Sequence, residues 1–299
     1  MRFAPLFVLL SAAPALAEVP RVVTDFGPVQ SLVADVMGEL GQPEMLLPPG
    51  ADPHDFQLRP SQAQALAEAD VVFWVGPELM PEMADTFATL APQAQVVSLL
   101  PAATVTREFG QGGQGHDEGH SHGHGEGGAD PHAWLDPLNG IAWAGHIARV
   151  LGEADPDNAA TYAANAAALT QTLTALDAEI AASLKPVADK PFVVYHDALG
   201  YFTDHYGLAP AGAIELGDAT TPSAAQLDAV RGVLESAGAI CVFPEAGRDP
   251  KYIAALTEGL SVRVGGAQDL EFITMPAGSG QYAVMLRAIA ATLTDCLAQ

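Results

Sequence analysis

Short apolar runs alternate with amphipathic segments along most of the chain from Val19 onwards. The first apolar run covers residues 21–24, and apolar side chains then recur at helical spacing over residues 28–41. The succession continues with strands predicted at residues 44–47, 71–75 and 96–99 and helices at residues 61–69 and 81–90. Buried strands that alternate with amphipathic helices predict parallel sheets covered by helices.

The second half of the chain repeats this alternation. Strands are predicted at residues 192–195, 213–215, 240–243 and 262–264. One helix is predicted to follow the first of these strands and to end near Tyr206, and three more are predicted at residues 223–237, 250–259 and 281–297. Between the halves, Asp136-Pro137 predicts a helix start, with the acid as the cap and the proline in the first turn.

One predicted helix is longer than the others. Apolar residues recur at spacings of three and four from Asp155-Pro156 until Lys185-Pro186 stops the pattern. We therefore predict an α/β fold with two lobes, each a mostly parallel sheet covered by helices, joined by one long connector helix. The predicted boundaries are residues 18–154 for the N-terminal lobe, 155–185 for the connector and 186–299 for the C-terminal lobe.

The first 17 residues have the pattern of a cleaved secretory signal peptide. Arg2 precedes an apolar run, and small residues lead to Ala17, so the mature chain is expected to begin near Glu18. No cysteine follows the cleavage site, which argues against a lipid anchor. No other stretch approaches the roughly 20 apolar residues of a membrane-spanning helix, so we predict an exported protein without one.

The chain is strongly acidic, with 12 basic and 36 acidic residues and a formal net charge of −24. Contacts with nucleic-acid phosphates require clustered Lys and Arg, so nucleic acid is excluded as a partner. A negative surface raises the local concentration of cations, which favours a cationic ligand.

The tetrapeptide Ala-Asp-Pro-His occurs twice, at residues 51–54 and 129–132. Proline fixes its own φ and restricts the residue before it, so His54 and His132 both leave a stiff turn in a defined direction. A third histidine, His196, ends a predicted strand, and Asp269 follows the last predicted strand. Stiff backbone and imidazole side chains together favour a metal site.

Ligands of open α/β sheets bind outside the carboxyl ends of the strands, so these side chains are expected to converge in the cleft between the lobes. Zinc prefers four nitrogen, sulfur or oxygen donors, whereas manganese takes more oxygen ligands, so His54, His132 and His196 favour zinc. The fourth ligand is predicted to be Asp269, with Glu271 or a water as alternatives.

Carboxylates near the predicted ligands could fix the protonation of the imidazoles. Asp52, Asp130 and Glu245 are candidates to accept a proton from a ligating histidine, and the sequence does not choose among them.

Residues 110–128 consist almost entirely of Gly, His, Glu, Gln, Asp and Ser. A segment of this composition cannot be buried, so we predict a mobile loop. Its histidines favour a low-affinity auxiliary metal site, the alternative being an inert insertion. They are His116, His120, His122 and His124.

The chain has two cysteines, Cys241 and Cys296. In an oxidising compartment such a pair predicts a disulfide, here one that ties the last helix to a core strand, and the alternative is two buried free thiols.

Several longer motifs resemble a known family. They are Pro-His-Asp-Phe at 53–56, Leu-Arg-Pro-Ser at 58–61, Val-Gly-Pro-Glu at 75–78, Asp-Pro-His-Ala-Trp-Leu-Asp-Pro at 130–137, Tyr-His-Asp-Ala at 195–198 and Phe-Pro-Glu at 243–245. With the histidine-rich segment, they resemble the periplasmic zinc-binding subunits of bacterial ABC importers (ZnuA-like), a branch of the metal-binding solute receptors. The resemblance covers nearly all of the mature chain.

The resemblance implies two α/β lobes joined by one long rigid helix, and a location in the periplasm. By this resemblance His54, His132 and His196 match the three zinc ligands, and Asp269 matches the acidic position of manganese-type relatives. Manganese relatives have glutamate at the position of His196. The Cys241 and Cys296 pair resembles the disulfide of the zinc branch.

We therefore predict a receptor, not an enzyme, that binds Zn²⁺ with high affinity and delivers it to an inner-membrane ABC permease. We expect a monomer with only a small conformational change on metal release. The alternatives are a manganese or iron receptor of the same fold and a zinc hydrolase, since three histidines with an open fourth position also describe catalytic zinc.

Overall fold

A computed structural model describes residues 19–48, 50–54, 58–108, 128–215 and 222–299. The predicted signal peptide, residues 1–17, and most of the histidine-rich segment lie outside these ranges. Among the described helices, none combines the length and apolar character needed to cross a lipid bilayer.

In the described part of the chain, eight strands form two four-stranded sheets in which all neighbours are parallel. The first sheet has the order β2-β1-β3-β4 and the second β6-β5-β7-β8, so both halves use the same topology. The α/β prediction is confirmed. The strands are β1 Val22–Thr24, β2 Glu44–Met45, β3 Val71–Trp74, β4 Gln95–Ser98, β5 Phe192–His196, β6 Pro210–Glu215, β7 Cys241–Phe243 and β8 Arg263–Val264.

Helices connect and cover the strands. The described α-helices are α1 Gly27–Met37, α2 Pro60–Glu68, α3 Met83–Leu90, α4 Pro137–Ala154, α5 Ala159–Leu184, α6 Gly200–Tyr206, α7 Ala224–Ser236, α8 Lys251–Thr257 and α9 Gln281–Leu297. Helix α4 begins as predicted, because the Asp136 side chain accepts a hydrogen bond from the Leu138 amide and Pro137 occupies the first turn.

The long helix α5 packs against α1 and α4 of the first half and against α9 of the second half. It begins at Ala159, after a 3₁₀ turn over Pro156–Asn158, and not directly at Asp155. One face of the helix is buried. Its buried side chains are Tyr162, Ala166, Leu169, Leu173, Leu176, Ile180 and Leu184, the positions at which the apolar pattern predicts contact with the core. The lobe boundaries assigned from the sequence stay a prediction.

Cys241 and Cys296 form a disulfide that ties strand β7 to helix α9, as predicted. Both residues are buried. Helix α9 is therefore fixed to the second sheet near its C-terminal end, and it also packs on α5 and α1.

Candidate metal-binding site

His54, His132 and His196 converge although they are far apart in the sequence. Their ring centroids are 5.7 Å apart for His54 and His132, 5.7 Å for His54 and His196, and 5.0 Å for His132 and His196. Candidate ligand atoms of the three side chains lie within 4.8 Å of one another. This spacing allows three imidazoles to bind a single ion.

The two Asp-Pro-His copies form the same turn. Oδ1 of Asp52 accepts a hydrogen bond from the His54 amide at 2.9 Å, and Oδ1 of Asp130 accepts one from the His132 amide at 3.0 Å. An aspartate that bonds the backbone two residues ahead forms an Asx turn, and the intervening proline stiffens it. Each copy therefore presents its histidine from a rigid support.

Carboxylates lie beside two of the imidazoles, and one of them is within hydrogen-bond distance. Nδ1 of His132 lies 2.8 Å from Oδ1 of Asp130, and Nδ1 of His196 lies 3.5 Å from Oε2 of Glu245. A carboxylate can only accept a hydrogen bond, so the Asp130 contact favours a proton on Nδ1 of His132 and leaves Nε2 for a metal. Of the three candidate carboxylates Asp52, Asp130 and Glu245, Asp130 has this position, and Glu245 lies beside His196 at the longer distance.

Glu271 lies against two of the three histidines, His54 and His196. Its Oε1 lies 3.0 Å from Nε2 of His54, and both side chains are only 2% exposed. Burial by itself would raise the pKa of the Glu271 carboxyl, but the hydrogen bond with His54 and the electrostatic influence of the neighbouring histidines outweigh it and hold this pKa well below its usual range. Glu271 is therefore an anionic side chain in a buried group of histidines.

Asp269 bonds its own loop. Its oxygens accept hydrogen bonds from the backbone amides of Ile273, Thr274 and Met275 and from the Thr274 hydroxyl, at 2.6 to 3.0 Å. Among the described residues, the groups able to hold a metal contain Glu271, Glu245 and Asp52 beside the histidines, and Asp269 is in none of them. Asp269 closes the loop that carries Glu271, and its role as a ligand stays a prediction.

Phe272, next to Glu271, has a φ of 59° and a buried side chain. A positive φ is rare for an aromatic residue and marks a constrained backbone. No sequence pattern predicts this conformation. For this reason Glu271 could be named from the sequence only as an alternative to Asp269 for the fourth ligand.

Trp134 links the His132 turn to the same loop. Its ring centroid is 5.1 Å from that of His132, and its Nε1 donates a hydrogen bond to the carbonyl of Leu270 at 2.9 Å. Trp134 is fully buried, so the loop of Glu271 and the turn of His132 are held together by a rigid ring.

Two arginines at the site were missed by the sequence analysis. Arg107 contacts Asp130 and Arg248 contacts Asp52, the aspartates of the two Asp-Pro-His turns. No motif points to either residue. The predicted auxiliary histidines His116, His120, His122 and His124 lie outside the described residues.

A family model described as "Zinc-uptake complex component A periplasmic" (ZnuA) matches residues 22–296. The high-affinity zinc uptake system protein ZnuA of Paracoccus denitrificans is 49% identical to this chain, over 96% of the chain and 94% of the relative. The protein of the same description from Yersinia pestis is 33% identical, over 91% of this chain and 87% of the relative.

Solved structures share the fold. The periplasmic zinc-binding protein TroA from Treponema pallidum superposes with a TM-score of 0.81 at 23% identity, covering 94% of this chain and 99% of that chain. A ZnuA deletion mutant with zinc bound superposes with a TM-score of 0.78 at 24% identity, covering 93% of this chain and 98% of that chain. This chain therefore has the same fold as these two proteins.

Proposed function

Because the chain belongs to the ZnuA family of periplasmic zinc-uptake components, we propose that it carries one Zn²⁺ on His54, His132, His196 and Glu271. The family is one of solute-binding proteins and not of enzymes, which removes the hydrolase alternative. The ion is cargo, and the receptor delivers it as a monomer to an inner-membrane ABC permease.

The convergence of three imidazoles and one ionised carboxylate carries this proposal. Zinc is held by four nitrogen, sulfur or oxygen donors, and neutral imidazole is among its preferred ligands. His54, His132 and His196 supply three nitrogens within 4.8 Å of one another, and Glu271 adds an anionic oxygen 3.0 Å from His54. The negative charge of Glu271 offsets part of the charge of the ion in a buried site, where unpaired charge is costly.

The donor set also favours zinc over manganese. Manganese sites are richer in carboxylate, carbonyl and water oxygens, whereas this group has three nitrogen donors. The histidine-rich segment is proposed to collect zinc with low affinity, through His116, His120, His122 and His124, ahead of the main site.

Metal analysis of the purified mature protein tests the proposal. We expect one tightly held zinc per chain in the wild type and loss of that zinc in the variants His54→Ala, His132→Ala and His196→Ala. The matched control is His146→Ala, because this partly exposed histidine lies on α4 and contacts Arg149. Unchanged tight stoichiometry in all three site variants would refute the site.

Competitive titration of zinc against manganese tests the choice of metal. We expect zinc to displace manganese at equal concentrations. A preference for manganese would replace the zinc assignment with that of a manganese receptor of the same fold.

A further inference from the structure

Two arginines hold the two Asp-Pro-His turns in the same way. In each turn Oδ1 of the aspartate bonds the histidine amide, and the other oxygen faces a guanidinium. Nη1 of Arg248 lies 3.0 Å from Oδ2 of Asp52, and Nη1 of Arg107 lies 3.4 Å from Oδ2 of Asp130. The sequence repeat is thus matched by a repeated contact with an arginine that lies outside the repeat.

Each arginine also reaches a carboxylate of the second half of the chain. Nε of Arg107 lies 2.8 Å from Oδ2 of Asp204 on helix α6, and Nε of Arg248 lies 3.7 Å from Oε1 of Glu245. Arg107 precedes α5 in the sequence and contacts Asp204 after it, whereas Arg248 follows α5 and contacts Asp52 before it, so each arginine connects the two halves of the chain. Glu245 is in turn the carboxylate beside His196.

Both arginines are mostly buried, with side chains 14% exposed for Arg107 and 15% exposed for Arg248. Charge-assisted hydrogen bonds of arginine with carboxylates are stronger in such surroundings and have a defined geometry, because the planar guanidinium presents its donors in a fixed fork. Asp130 is also buried, so removing Arg107 leaves its charge uncompensated, whereas Asp52 and Asp204 are 30% and 68% exposed.

The position of Arg107 depends on a glycine. A Cβ added to Gly200, the first residue of α6, would overlap Nη1 of Arg107. The Arg107 amide also donates to the Tyr201 hydroxyl, which donates to the carbonyl of Asp130. The start of α6 is therefore shaped around Arg107 and the turn of His132.

We propose that Arg107 and Arg248 are positioning residues that clasp the His132 and His54 turns against the second half of the chain and thereby slow the release of the bound ion. The inference rests on the proposed function, since the ion in question is the zinc held by the three histidines. Loss of either arginine lets its Asp-Pro-His turn move away from the second half of the chain, which separates the histidine ligands from one another.

A purely electrostatic role predicts the opposite effect. A guanidinium repels a nearby cation, so removing its charge would hold zinc more tightly. A substitution by lysine keeps the positive charge but removes the planar guanidinium with its fixed donors, and a substitution by methionine removes both. The proposed role requires faster release in both kinds of variant, whereas a charge effect requires slower release with methionine and no change with lysine.

The experiment measures the rate at which the full mature protein releases zinc into an excess of chelator. The wild type is compared with four variants, Arg107→Lys, Arg107→Met, Arg248→Lys and Arg248→Met. We expect each variant to release zinc about 10-fold faster or more, the effect seen when groups that orient metal ligands are lost. The control is Arg149→Lys, because the ion pair of Arg149 with Glu153 lies within α4 and both side chains are more than half exposed. We expect wild-type release in this control.

Gly200→Ala gives a second test that leaves both arginines in the chain. Alanine favours a helix more than glycine does, so α6 is not weakened, but the new methyl group displaces the guanidinium of Arg107. We expect release faster than that of the wild type by the same factor as in Arg107→Met. Thermal unfolding of each metal-free variant verifies that it is folded.

Slower release with methionine, or wild-type release in the variants of either arginine or in Gly200→Ala, would overturn the proposed clasp. These outcomes differ from a failure of the proposed function. In that case the wild type itself would hold no zinc that depends on His54, His132 and His196.

Discussion

Oε1 of Glu271 lies 3.0 Å from Nε2 of His54 although the two residues are 217 positions apart in the sequence. Both side chains are almost completely buried, and the carboxyl of Glu271 has a pKa well below its usual range because His54 and the neighbouring imidazoles outweigh the effect of burial. The contact joins the first Asp-Pro-His turn to a loop near the end of the chain and gives the histidine cluster its anionic member.

Replacement of Glu271 by glutamine is expected to weaken zinc binding. The amide keeps the shape of the side chain but removes the negative charge that offsets the charge of the ion. We expect an affinity lower by about 10-fold or more, since even the loss of a group that only orients a ligand costs about 10- to 100-fold, and competition with a chelator of known affinity measures it.

Asp269→Asn is the matched control for Glu271→Gln. Its carboxylate bonds the loop at Ile273, Thr274 and Met275, so we expect an unchanged zinc affinity and a free energy of unfolding lower by about 1 kcal/mol. If Asp269→Asn weakens zinc binding more than Glu271→Gln does, the fourth ligand is Asp269.

Zinc affinity should fall as the solution becomes more acidic, because protons compete with the ion for the imidazole nitrogens. Binding requires neutral imidazoles, so the ion must displace protons from His54, His132 and His196 at low pH. Glu271 stays ionised over this range because its pKa is held well below the usual value. Titrations at pH 7.5, 6.5 and 5.5 should show a progressive loss of affinity, and an affinity independent of pH would argue against histidine ligands.

The stability of the folded chain should depend on His205. Nδ1 of His205 lies 3.3 Å from Oδ1 of Asp136, and Nε2 lies 2.8 Å from Oδ1 of Asp177 on helix α5. The hydrogen bond with Asp136, opposed by burial and supported by the bond with Asp177, raises the pKa of His205 to about 9. Because the pKa of His205 is higher in the folded state, protonated His205 stabilises the fold. This contribution is fully present at a pH below the unfolded pKa of about 6.5, and it is lost as the pH rises through 9.

We expect His205→Gln to lower the free energy of unfolding by roughly 2 kcal/mol at pH 6, a value reduced for the partial access of water to the pair. The difference from the wild type should shrink as the pH approaches 9, measured by denaturant unfolding across this range. In the control His146→Gln this loss should be absent, because burial lowers the pKa of His146. A constant difference at all pH values would show that His205 acts through packing and not through its charge.

Loss of the disulfide should destabilise the protein without emptying the metal site. Cys241 and Cys296 are 55 positions apart, and closing a loop of this length contributes about 4 kcal/mol in the chain-entropy model. We expect the double variant Cys241→Ala with Cys296→Ala to unfold at a lower denaturant concentration while still binding one zinc. Equal unfolding curves for the oxidised and reduced wild type would contradict this expectation.

The local pattern was sufficient for most of the fold. The buried face of α5, from Tyr162 to Leu184, follows from apolar spacing alone, and the start of α4 follows from Asp136-Pro137. Boundaries were less accurate where tertiary contacts determine them. Strand β2 was predicted over residues 44–47 but covers only Glu44–Met45. The amides of Leu46 and Leu47 still donate hydrogen bonds to the carbonyls of Thr24 and Asp25, but this part of the chain is not a regular strand.

The sequence by itself determined the two repeated α/β halves, the long helix between them and three histidines placed after strands or in stiff turns. These features depend on residue spacing, proline and capping, which act over a few positions. Only the tertiary structure decided that Glu271 and not Asp269 lies beside His54, and that Arg107 and Arg248 contact the two Asp-Pro-His turns. Such contacts join side chains up to 217 positions apart, and they depend on how the two halves pack and on the positive φ at Phe272, which no local pattern encodes.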